Sequence, residues 1–268
     1  MSEVVRNYYE NNAEHEWERL NQPYSKIEFL STLRLFEKYL SPAGHICDVG
    51  SGPGRYSIEL LKQGYQVTLF EISQQELDIA SERIQELGLQ AEAYICDNAT
   101  NMHVLDDEAY EAVLVMGPLY HIHDDEARSK IIRETSRILK KDGVAIFAYI
   151  NSWGALKAGV SEFSEEFRDL NHLYNYLGEL KLDENQGFTE CYFTTPVKAL
   201  DEVTLGGFEI VTYAGTESFL AGMRPEVTRL YNEDRIVYDH LLQVASESCE
   251  LPQYRDATEH LHIVARKR

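Results

Sequence analysis

The stretch CDVGSGPGRYS, residues 47–57, decides the fold predicted for this chain. A short apolar segment ends at Asp48 and Val49 and passes into Gly50, Gly52 and Gly54, after which a helical pattern begins. In open α/β sheets, ligands bind where a strand ends and such a glycine turn leads into a helix. The stretch therefore predicts a cofactor site at the carboxyl edge of a sheet.

Strands and helices alternate outward from this stretch. The predicted strands span 45–49, 65–70, 91–96, 112–116 and 144–150. The predicted helices between them span 54–62, 73–87 and 125–139, and the second begins with the capping-box residues Ser73 and Glu76. Because parallel neighbours need a crossover connection, this alternation predicts a doubly wound α/β fold with helices on both faces of the sheet.

Three further regions surround the core predicted at 41–150. Residues 1–40 contain two helical patterns, 3–20 and 25–40, and predict an N-terminal helical cap. Residues 151–200 are rich in aromatic and acidic side chains and predict an inserted lid or substrate region. Residues 201–268 return to the α/β core, with elements predicted at 206–215, 226–246 and 260–267.

Composition limits the partners of this chain. Its 25 basic and 45 acidic residues give a formal charge of −20, which opposes the approach of DNA or RNA. No apolar run has the length of a signal peptide or a membrane span, so we expect a cytoplasmic protein with no membrane partner. Four scattered cysteines, and only a weak cluster of His123, Asp124 and Asp125, predict neither a disulfide nor a metal site.

The glycine stretch departs from the fingerprint of dinucleotide-binding loops. That fingerprint, GxGxxG, would place its third small residue at position 55, where this chain has Arg55. Pro53 also removes one of the free amides that hold a pyrophosphate at the start of a helix. The loop therefore favours a cofactor without phosphates, although glycines in this position also serve close packing of a strand on a helix.

Acidic residues end the next two predicted strands. Glu71 lies about twenty residues beyond the glycines, where a carboxylate accepts hydrogen bonds from ribose hydroxyls. Asp97 ends the third strand, where it would accept from an adenine amino group. Together with Asp48, these residues predict three carboxylates at one edge of the sheet, a pattern typical of an adenosyl or nicotinamide cofactor.

With these residues the sequence resembles the class I S-adenosylmethionine-dependent methyltransferases. The resemblance is carried by DVGSGPG (48–54), Glu71, Asp97, MGPLYHI (116–122) and SRILKKDGVAIF (136–147). It implies a seven-stranded, mostly parallel sheet whose last strand is antiparallel, with S-adenosylmethionine lying across the carboxyl ends of the first strands. The implied cofactor-binding residues are Asp48, Gly50, Gly52, Gly54, Glu71, Ile72, Asp97, Asn98, Ala99, Met116 and Gly117.

The same resemblance places the segment GPLYHIH, residues 117–123, beside the transferred methyl group. Gly117 and Leu119 depart from the [DNS]PP[YF] motif of enzymes that methylate amide or adenine nitrogens, which disfavours those acceptors. His121 is a candidate general base because its ordinary pKa is near neutral, with Tyr120 beside it as a second candidate. His121 could instead be a packed histidine whose ring bonds to a backbone group.

Aromatic residues of the cap and of the insertion form a second group of candidates. Rings that line a pocket attract a sulfonium or a cationic acceptor, and a lid excludes water from the reaction. An aromatic stripe at helical spacing can equally be core. The candidates for this lid are Tyr8, Tyr9, Trp17, Trp153 and Tyr176.

These patterns favour a methyltransferase that acts on a small molecule by in-line displacement, with oxygen, nitrogen and carbon all open as the acceptor atom. An NAD(P)-dependent oxidoreductase is the second hypothesis, although Pro53, Arg55 and the GPLYH segment do not fit its fingerprint. A binding module that holds S-adenosylmethionine without catalysis is the third hypothesis. Neither the acceptor nor the oligomeric state can be read from the sequence.

Overall fold

The computed structural model describes all residues, 1–268, and has the predicted alternation of strands and helices. Its helices are α1 (Glu3–Arg19), α2 (Lys26–Tyr39), α3 (Arg55–Lys62), α4 (Gln74–Glu86), α5 (Asp125–Ile138), α6 (Ser152–Glu162), α7 (Leu170–Asn175), α8 (Pro196–Leu205), α9 (Arg224–Glu233), α10 (Arg235–Ser248) and α11 (Pro252–Arg255). Its strands are β1 (His45–Val49), β2 (Gln66–Glu71), β3 (Ala93–Cys96), β4 (Tyr110–Val115), β5 (Leu139–Asn151), β6 (Leu180–Leu182), β7 (Cys191–Thr194), β8 (Phe208–Gly215) and β9 (His260–Lys267).

The main sheet has the order β3-β2-β1-β4-β5-β9-β8. Strands β1 to β5 are parallel to one another, and β9 runs antiparallel to both β5 and β8. The seven-stranded, mostly parallel sheet with an antiparallel last strand is therefore confirmed. A hairpin of β6 and β7 extends it, because β7 pairs with Ile150 and Asn151 at the end of β5.

Alternate residues along the strands fill a core on each face of the sheet. Ile46 and Leu114 face the helices α2, α3 and α4, whereas Cys47 and Val113 face α5 and α8. This burial on both faces is what a parallel sheet requires. It leaves the carboxyl ends of β1, β2 and β4 together at one edge, beneath α1. No helix is both long enough and apolar enough to cross a bilayer.

Two predicted elements differ in the structure. The single helix predicted at 226–246 is two helices, because Asp234 has non-helical angles (φ −146°, ψ 84°) and its side chain caps α10 by accepting from the Val237 amide at 3.2 Å. The strand predicted to begin at 144 begins at Leu139, and a bulge at 140–143 brings Asp142 to a φ of 63°.

The insertion consists of short elements from α6 to the β6/β7 hairpin. Regular packing on the core resumes with α8, whose Ala199 and Val203 are buried against the sheet. The predicted boundary between residues 200 and 201 therefore falls inside a helix of the core.

Candidate functional site

A cavity of about 380 Å³ lies at the carboxyl edge of the sheet, under α1. Its volume falls in the range of small-molecule sites. Predicted cofactor residues in its wall are Gly50, Gly52, Glu71, Ile72, Met116 and Gly117. Predicted catalytic and lid residues in its wall are Tyr120, His121, Tyr8 and Tyr9.

The glycine loop has the backbone geometry that only glycine adopts freely. Gly50, Gly52 and Gly54 have φ values of 77°, 53° and 82°. A Cβ on Gly50 would lie 2.5 Å from Cδ of Pro118, so the loop touches the segment after β4. A Cβ on Gly52 would meet nothing closer than Glu76 Oε2 at 3.7 Å. The loop therefore offers bare backbone to the cavity at Gly52.

Glu71 joins the end of β2 to this loop. Its Oε2 accepts from the Gly52 amide at 3.0 Å, and its Oε1 accepts from the amides of Ile72 at 2.6 Å and Ser73 at 3.1 Å. Burial raises the pKa of Glu71, while these backbone donors act in the opposite direction. The carboxylate is thus held in one orientation at the cavity wall.

The capping box at the start of α4 is only half formed. Ser73 Oγ accepts from the Glu76 amide at 3.2 Å as predicted, but the Ser73 amide donates to Glu71 instead of Glu76. The Glu76 carboxyl is therefore released into the cavity, where it is buried and its Oε1 has no hydrogen-bond partner. Burial and the neighbouring Glu71 raise its pKa well above the ordinary value. The sequence had assigned Glu76 only to the helix cap.

Asp48 lies behind the glycine loop rather than in the cavity wall. Its Oδ2 accepts from Ser57 Oγ at 2.6 Å, whereas its buried Oδ1 has no partner, and burial raises its pKa to about 7. An unpartnered buried carboxylate oxygen is costly unless a ligand or water supplies a donor. Asp48 and Glu76 both provide such an oxygen near the loop. These oxygens fit a group that carries positive charge, as the sulfonium and ammonium of S-adenosylmethionine do.

The structure does not bring the residues after β3 into the cavity wall. Asp97 accepts from the Asn98 amide at 2.7 Å and from Asn101 Nδ2 at 2.8 Å. Asn98 Nδ2 donates to the carbonyl of Met1 at 2.7 Å, so the start of the chain covers this region, and Ala99 is buried in the core. The adenine contacts implied by the resemblance remain predictions, as does the role of Gly54, whose nearest contact would be Ala80.

His121 is bonded at both ring nitrogens. Its Nδ1 is 2.8 Å from the Glu190 carbonyl, so Nδ1 carries the proton and Nε2 accepts from the Tyr9 hydroxyl at 2.7 Å. Burial lowers the pKa of His121 to about 4, which keeps the ring neutral. The imidazole therefore fastens α1 to the turn at 118–121. Its role as a general base remains a prediction that requires the Tyr9 hydrogen bond to open.

The helix α1 forms the roof of the cavity. Glu10 accepts from the amides of Gln74 at 2.8 Å and Gln75 at 3.2 Å, so it caps the N-terminus of α4. The helix is kinked at Asn12, where φ is −123° and ψ is 15°. Tyr8 packs on Phe188 of the insertion with ring centroids 5.2 Å apart. Residues of the N-terminal helix and of the insertion thus close the cavity.

Three predicted lid residues lie elsewhere. Trp17 packs under the guanidinium of Arg55, 4.8 Å from its ring centroid. Tyr176 is buried among other aromatic side chains of the insertion, and Trp153 donates its indole N–H to the Leu177 carbonyl at 3.2 Å. The packing of these three residues fits the alternative interpretation, in which the aromatic residues belong to the core.

Several cationic side chains that were not predicted as site residues lie in the wall. Arg19 at the end of α1 donates to Glu28 at 2.9 Å and to Glu16 at 3.1 Å. His260, the first residue of β9, and Arg224, the first residue of α9, lie in the same wall. They come from three distant segments, and the only sequence signal was that a strand beginning at residue 260 would start at this edge if it ran antiparallel.

Burial alone would lower the pKa of His260, but nearby carboxylates more than offset this effect. Its Nδ1 bonds to Glu217 Oε1 at 2.6 Å, its backbone amide donates to Glu217 Oε2 at 3.1 Å, and Glu28 lies 3.9 Å away. These carboxylates raise its pKa to about 9, so the ring is an imidazolium near neutral pH. His260 is therefore a charged donor in the wall, in contrast to the neutral His121.

Part of the chain matches a known protein family. Residues 46–143 match a family described as a methyltransferase domain. The ubiquinone biosynthesis O-methyltransferase of Actinobacillus pleuropneumoniae serotype 7 is 29% identical over 144 residues, which cover 50% of this chain and 59% of that protein. The alignments with the first such relatives cover only 46–59% of the relatives' length.

Two longer similarities cover most of the chain at lower identity. The tRNA 5-carboxymethoxyuridine methyltransferase of Escherichia coli O157:H7 is 20% identical over 83% of this chain and 79% of its own length. The solved 1,6-didemethyltoxoflavin-N1-methyltransferase of Burkholderia thailandensis, with bound S-adenosylhomocysteine, has a TM-score of 0.62 and 14% identity over 98% of this chain and 87% of that one. At 14% identity, the similarity to the solved structure shows a common fold alone.

Proposed function

We propose that this chain, whose residues 46–143 match a methyltransferase domain, transfers the methyl group of S-adenosylmethionine to a small-molecule acceptor. The observation that carries this proposal is the glycine loop with its two unpartnered carboxylate oxygens, from Asp48 and Glu76, beside a cavity of small-molecule size. This arrangement supplies acceptors for a positively charged ligand at the place where the fold binds its cofactor.

The residues that would hold the cofactor follow from the cavity wall. Glu71, fixed by three backbone amides, would accept from the ribose hydroxyls. Gly52 and Gly117 leave open space for the methionine part, and Met116 would lie against it. The Arg19 guanidinium, whose Nη2 makes no hydrogen bond within the protein, would bind the methionine carboxylate. Asp97, Asn98, Ala99 and Ile72 are proposed for the adenine end.

The protein's contribution to the chemistry would be alignment and exclusion of water. When bound, the cofactor supplies a methyl group that a lone pair of the acceptor attacks in line. Helix α1, with Tyr9, and Phe188 of the insertion would cover that region. Tyr120 has a hydroxyl with no partner, close to where a Cβ on Gly117 would be, at 3.7 Å. It would orient the acceptor, and oxygen is favoured as the acceptor atom by the O-methyltransferase among the relatives.

A small molecule is favoured over RNA as the acceptor. One relative is named for a tRNA nucleoside, so RNA is the competing acceptor. The formal charge of −20 would repel a polyanion, and α1 covers the cavity. Gel-shift titration with bulk tRNA at low salt tests this point, and saturable binding at micromolar tRNA would overturn the preference for a small molecule.

Calorimetric titration with S-adenosylhomocysteine, S-adenosylmethionine and NADH tests the cofactor. We expect the first two to bind and NADH to give no heat. Binding of NADH alone would favour the oxidoreductase hypothesis. Incubation with S-adenosylmethionine and a panel of phenols, carboxylic acids and amines, read out by mass spectrometry as a gain of one methyl group, then tests turnover against the hypothesis of a binding module.

A further inference from the structure

Groups of both polarities lack partners at the cavity. At the glycine loop they are acceptors, Glu76 Oε1 in the wall and Asp48 Oδ1 behind the loop. Two cationic side chains of the wall keep free donors. Within the protein, His260 uses Nδ1 but not Nε2, and Arg224 uses Nε but neither terminal nitrogen. Both side chains line the cavity.

His260 and Arg224 are held in the same corner, called here the His260–Arg224 wall. The Arg224 guanidinium stacks on the ring of Tyr24, 4.5 Å from the centroid, and the Tyr24 hydroxyl donates to Glu259 at 2.7 Å. Glu259 directly precedes His260, the first residue of β9, and also accepts from the Gly222 amide at 2.8 Å. The wall is thus built from the turn before α2, the start of β9 and the start of α9.

Acidic groups surround this wall, but they do not line the cavity, whereas His260 and Arg224 do. Those facing His260 are Glu28 of α2 and Glu217 after β8, which accept from Arg19 and from His260 itself. The other ionisable neighbours are Arg19 of α1, Glu259, whose pKa burial and Glu217 raise to about 7, and His262 of β9, whose ring stays neutral because burial lowers its pKa to about 4. Glu162 accepts from Arg224 Nε at 2.8 Å. The wall therefore presents to the cavity the terminal nitrogens of Arg224 and Nε2 of His260, which are donors on positively charged groups.

We propose that the His260–Arg224 wall binds a carboxylate of the methyl acceptor, so that the substrate class is small carboxylic acids. This inference rests on the proposed function of the cavity. A guanidinium and an imidazolium N–H match the two oxygens of a carboxylate. A phosphate would bring a second negative charge close to Glu28 and Glu217, whereas a neutral acceptor would leave the donors unpaired.

The test uses the full chain saturated with S-adenosylhomocysteine, so that Arg19 is already occupied by the cofactor. Benzoate is the probe, and benzamide is the neutral probe of matched shape. Binding is measured by calorimetry, and the His260 Cε1–H resonance is followed by NMR after assignment from its absence in His260→Gln. The matched control is His172→Gln, an exposed histidine of α7 outside the cavity.

We expect benzoate to shift the His260 resonance and to bind at least about tenfold more tightly than benzamide, the size of one charged hydrogen bond. His260→Gln and Arg224→Gln should each weaken benzoate about tenfold, and His172→Gln should leave it unchanged. Equal affinity for the two probes, or benzoate binding that does not shift His260, would overturn the inference.

Failure of the proposed function has a different signature. It would appear as loss of S-adenosylhomocysteine binding to the wild-type chain, which is measured before benzoate is added. Circular dichroism and the midpoint of thermal unfolding establish that each variant is folded before its affinities are compared.

Discussion

Gly50 and Gly64 have similar backbone angles but different surroundings. Their φ values are 77° and 90°, a region that costs a residue with a side chain about 1–2 kcal/mol. A Cβ on Gly64 would meet nothing within 4 Å, whereas one on Gly50 would meet Pro118 Cδ at 2.5 Å. Comparing alanine substitutions at the two positions therefore measures how much the close approach of the loop to the segment after β4 contributes to stability.

We predict that Gly50→Ala lowers the free energy of unfolding by about 1–3 kcal/mol more than Gly64→Ala, because only the former forces two segments apart. Urea unfolding of both variants measures the difference. Gly50→Ala should also weaken S-adenosylhomocysteine binding, and Gly64→Ala should not. Equal losses of stability in the two variants would contradict this prediction, because they would mean that the loop moves to accommodate the added methyl group at no extra cost.

Glu71 carries two tasks with one carboxylate. It receives three backbone amides, and the same group faces the cavity. In Glu71→Gln, one oxygen becomes an amino group that cannot accept from these donors. We predict a loss of about ten- to a hundredfold in affinity for S-adenosylhomocysteine, measured by calorimetry. Glu82→Gln, at an exposed position of α4, is the matched control. Unchanged affinity in Glu71→Gln would remove Glu71 from the cofactor site.

At the scale of elements, α1 determines access to the cavity. It is attached through polar contacts, among them Tyr9 with His121 and Glu10 with the amides of α4, and it is kinked at Asn12. Few residues of α1 are buried, with Val5 and Ala13 as the examples. A helix held mainly by such contacts opens at a lower free-energy cost than the strands of the core. This makes α1 the element suited to admit a ligand.

We predict that Tyr9→Phe speeds amide hydrogen exchange in residues 3–11 about fivefold, because one hydrogen bond of about 1 kcal/mol is lost and His121 Nε2 is left unpaired. Mass spectrometry of peptic peptides measures this rate. Tyr174→Phe, at an exposed tyrosine without a hydrogen bond at its hydroxyl, is the control.

Hydrogen exchange measured with and without the cofactor product tests the lid role of α1. S-adenosylhomocysteine should slow exchange in residues 5–20 of the wild-type chain, because the ligand closes the contacts beneath α1. Unchanged exchange in that segment on binding would contradict a lid role for α1.

Over the whole molecule, three buried groups with raised pKa values lower the stability of the fold as the pH rises. Burial raises the pKa of Asp48 to about 7, and burial with Glu217 raises that of Glu259 to about 7. The pKa of His260 rises to about 9 from the ordinary 6.5. A group whose pKa is raised on folding stabilises the fold below its ordinary pKa, and this stabilisation is lost as pH rises through the folded value. Above about pH 7.5, the further loss comes from His260 and from the buried thiols of Cys47, Cys191 and Cys249, whose pKa values burial also raises.

We predict that His260 contributes about 2 kcal/mol to the fall in the free energy of unfolding between pH 7.5 and pH 9.5, as its imidazolium loses its proton beside Glu28 and Glu217. Urea unfolding at a series of pH values measures the slope. His260→Gln should reduce the fall by about that amount, and His172→Gln should retain it. A slope that is the same in His260→Gln would assign the pH dependence to other groups.

The sequence predicts much of the core because local rules operate there. The glycines, the alternation of strands with helices and the acids at strand ends lie within short stretches. Parallel strands place their carboxyl ends at one edge, so Glu71, Met116 and Gly117 could be assigned to that edge without coordinates. The break at Asp234 and the release of Glu76 from its cap could not be read, because each depends on a competing hydrogen bond or on local backbone angles.

By itself, the sequence determined the fold class and the position of the glycine loop, and it predicted S-adenosylmethionine as the cofactor. Only the tertiary structure decided which side chains face the acceptor. Arg19, Arg224 and His260 meet because α1 folds over the sheet edge and β9 begins there. The same packing bonds both nitrogens of His121 and keeps Trp153 and Tyr176 away from the cavity. Such contacts depend on the packing of segments that are distant in the sequence, and local periodicity or spacing does not predict them.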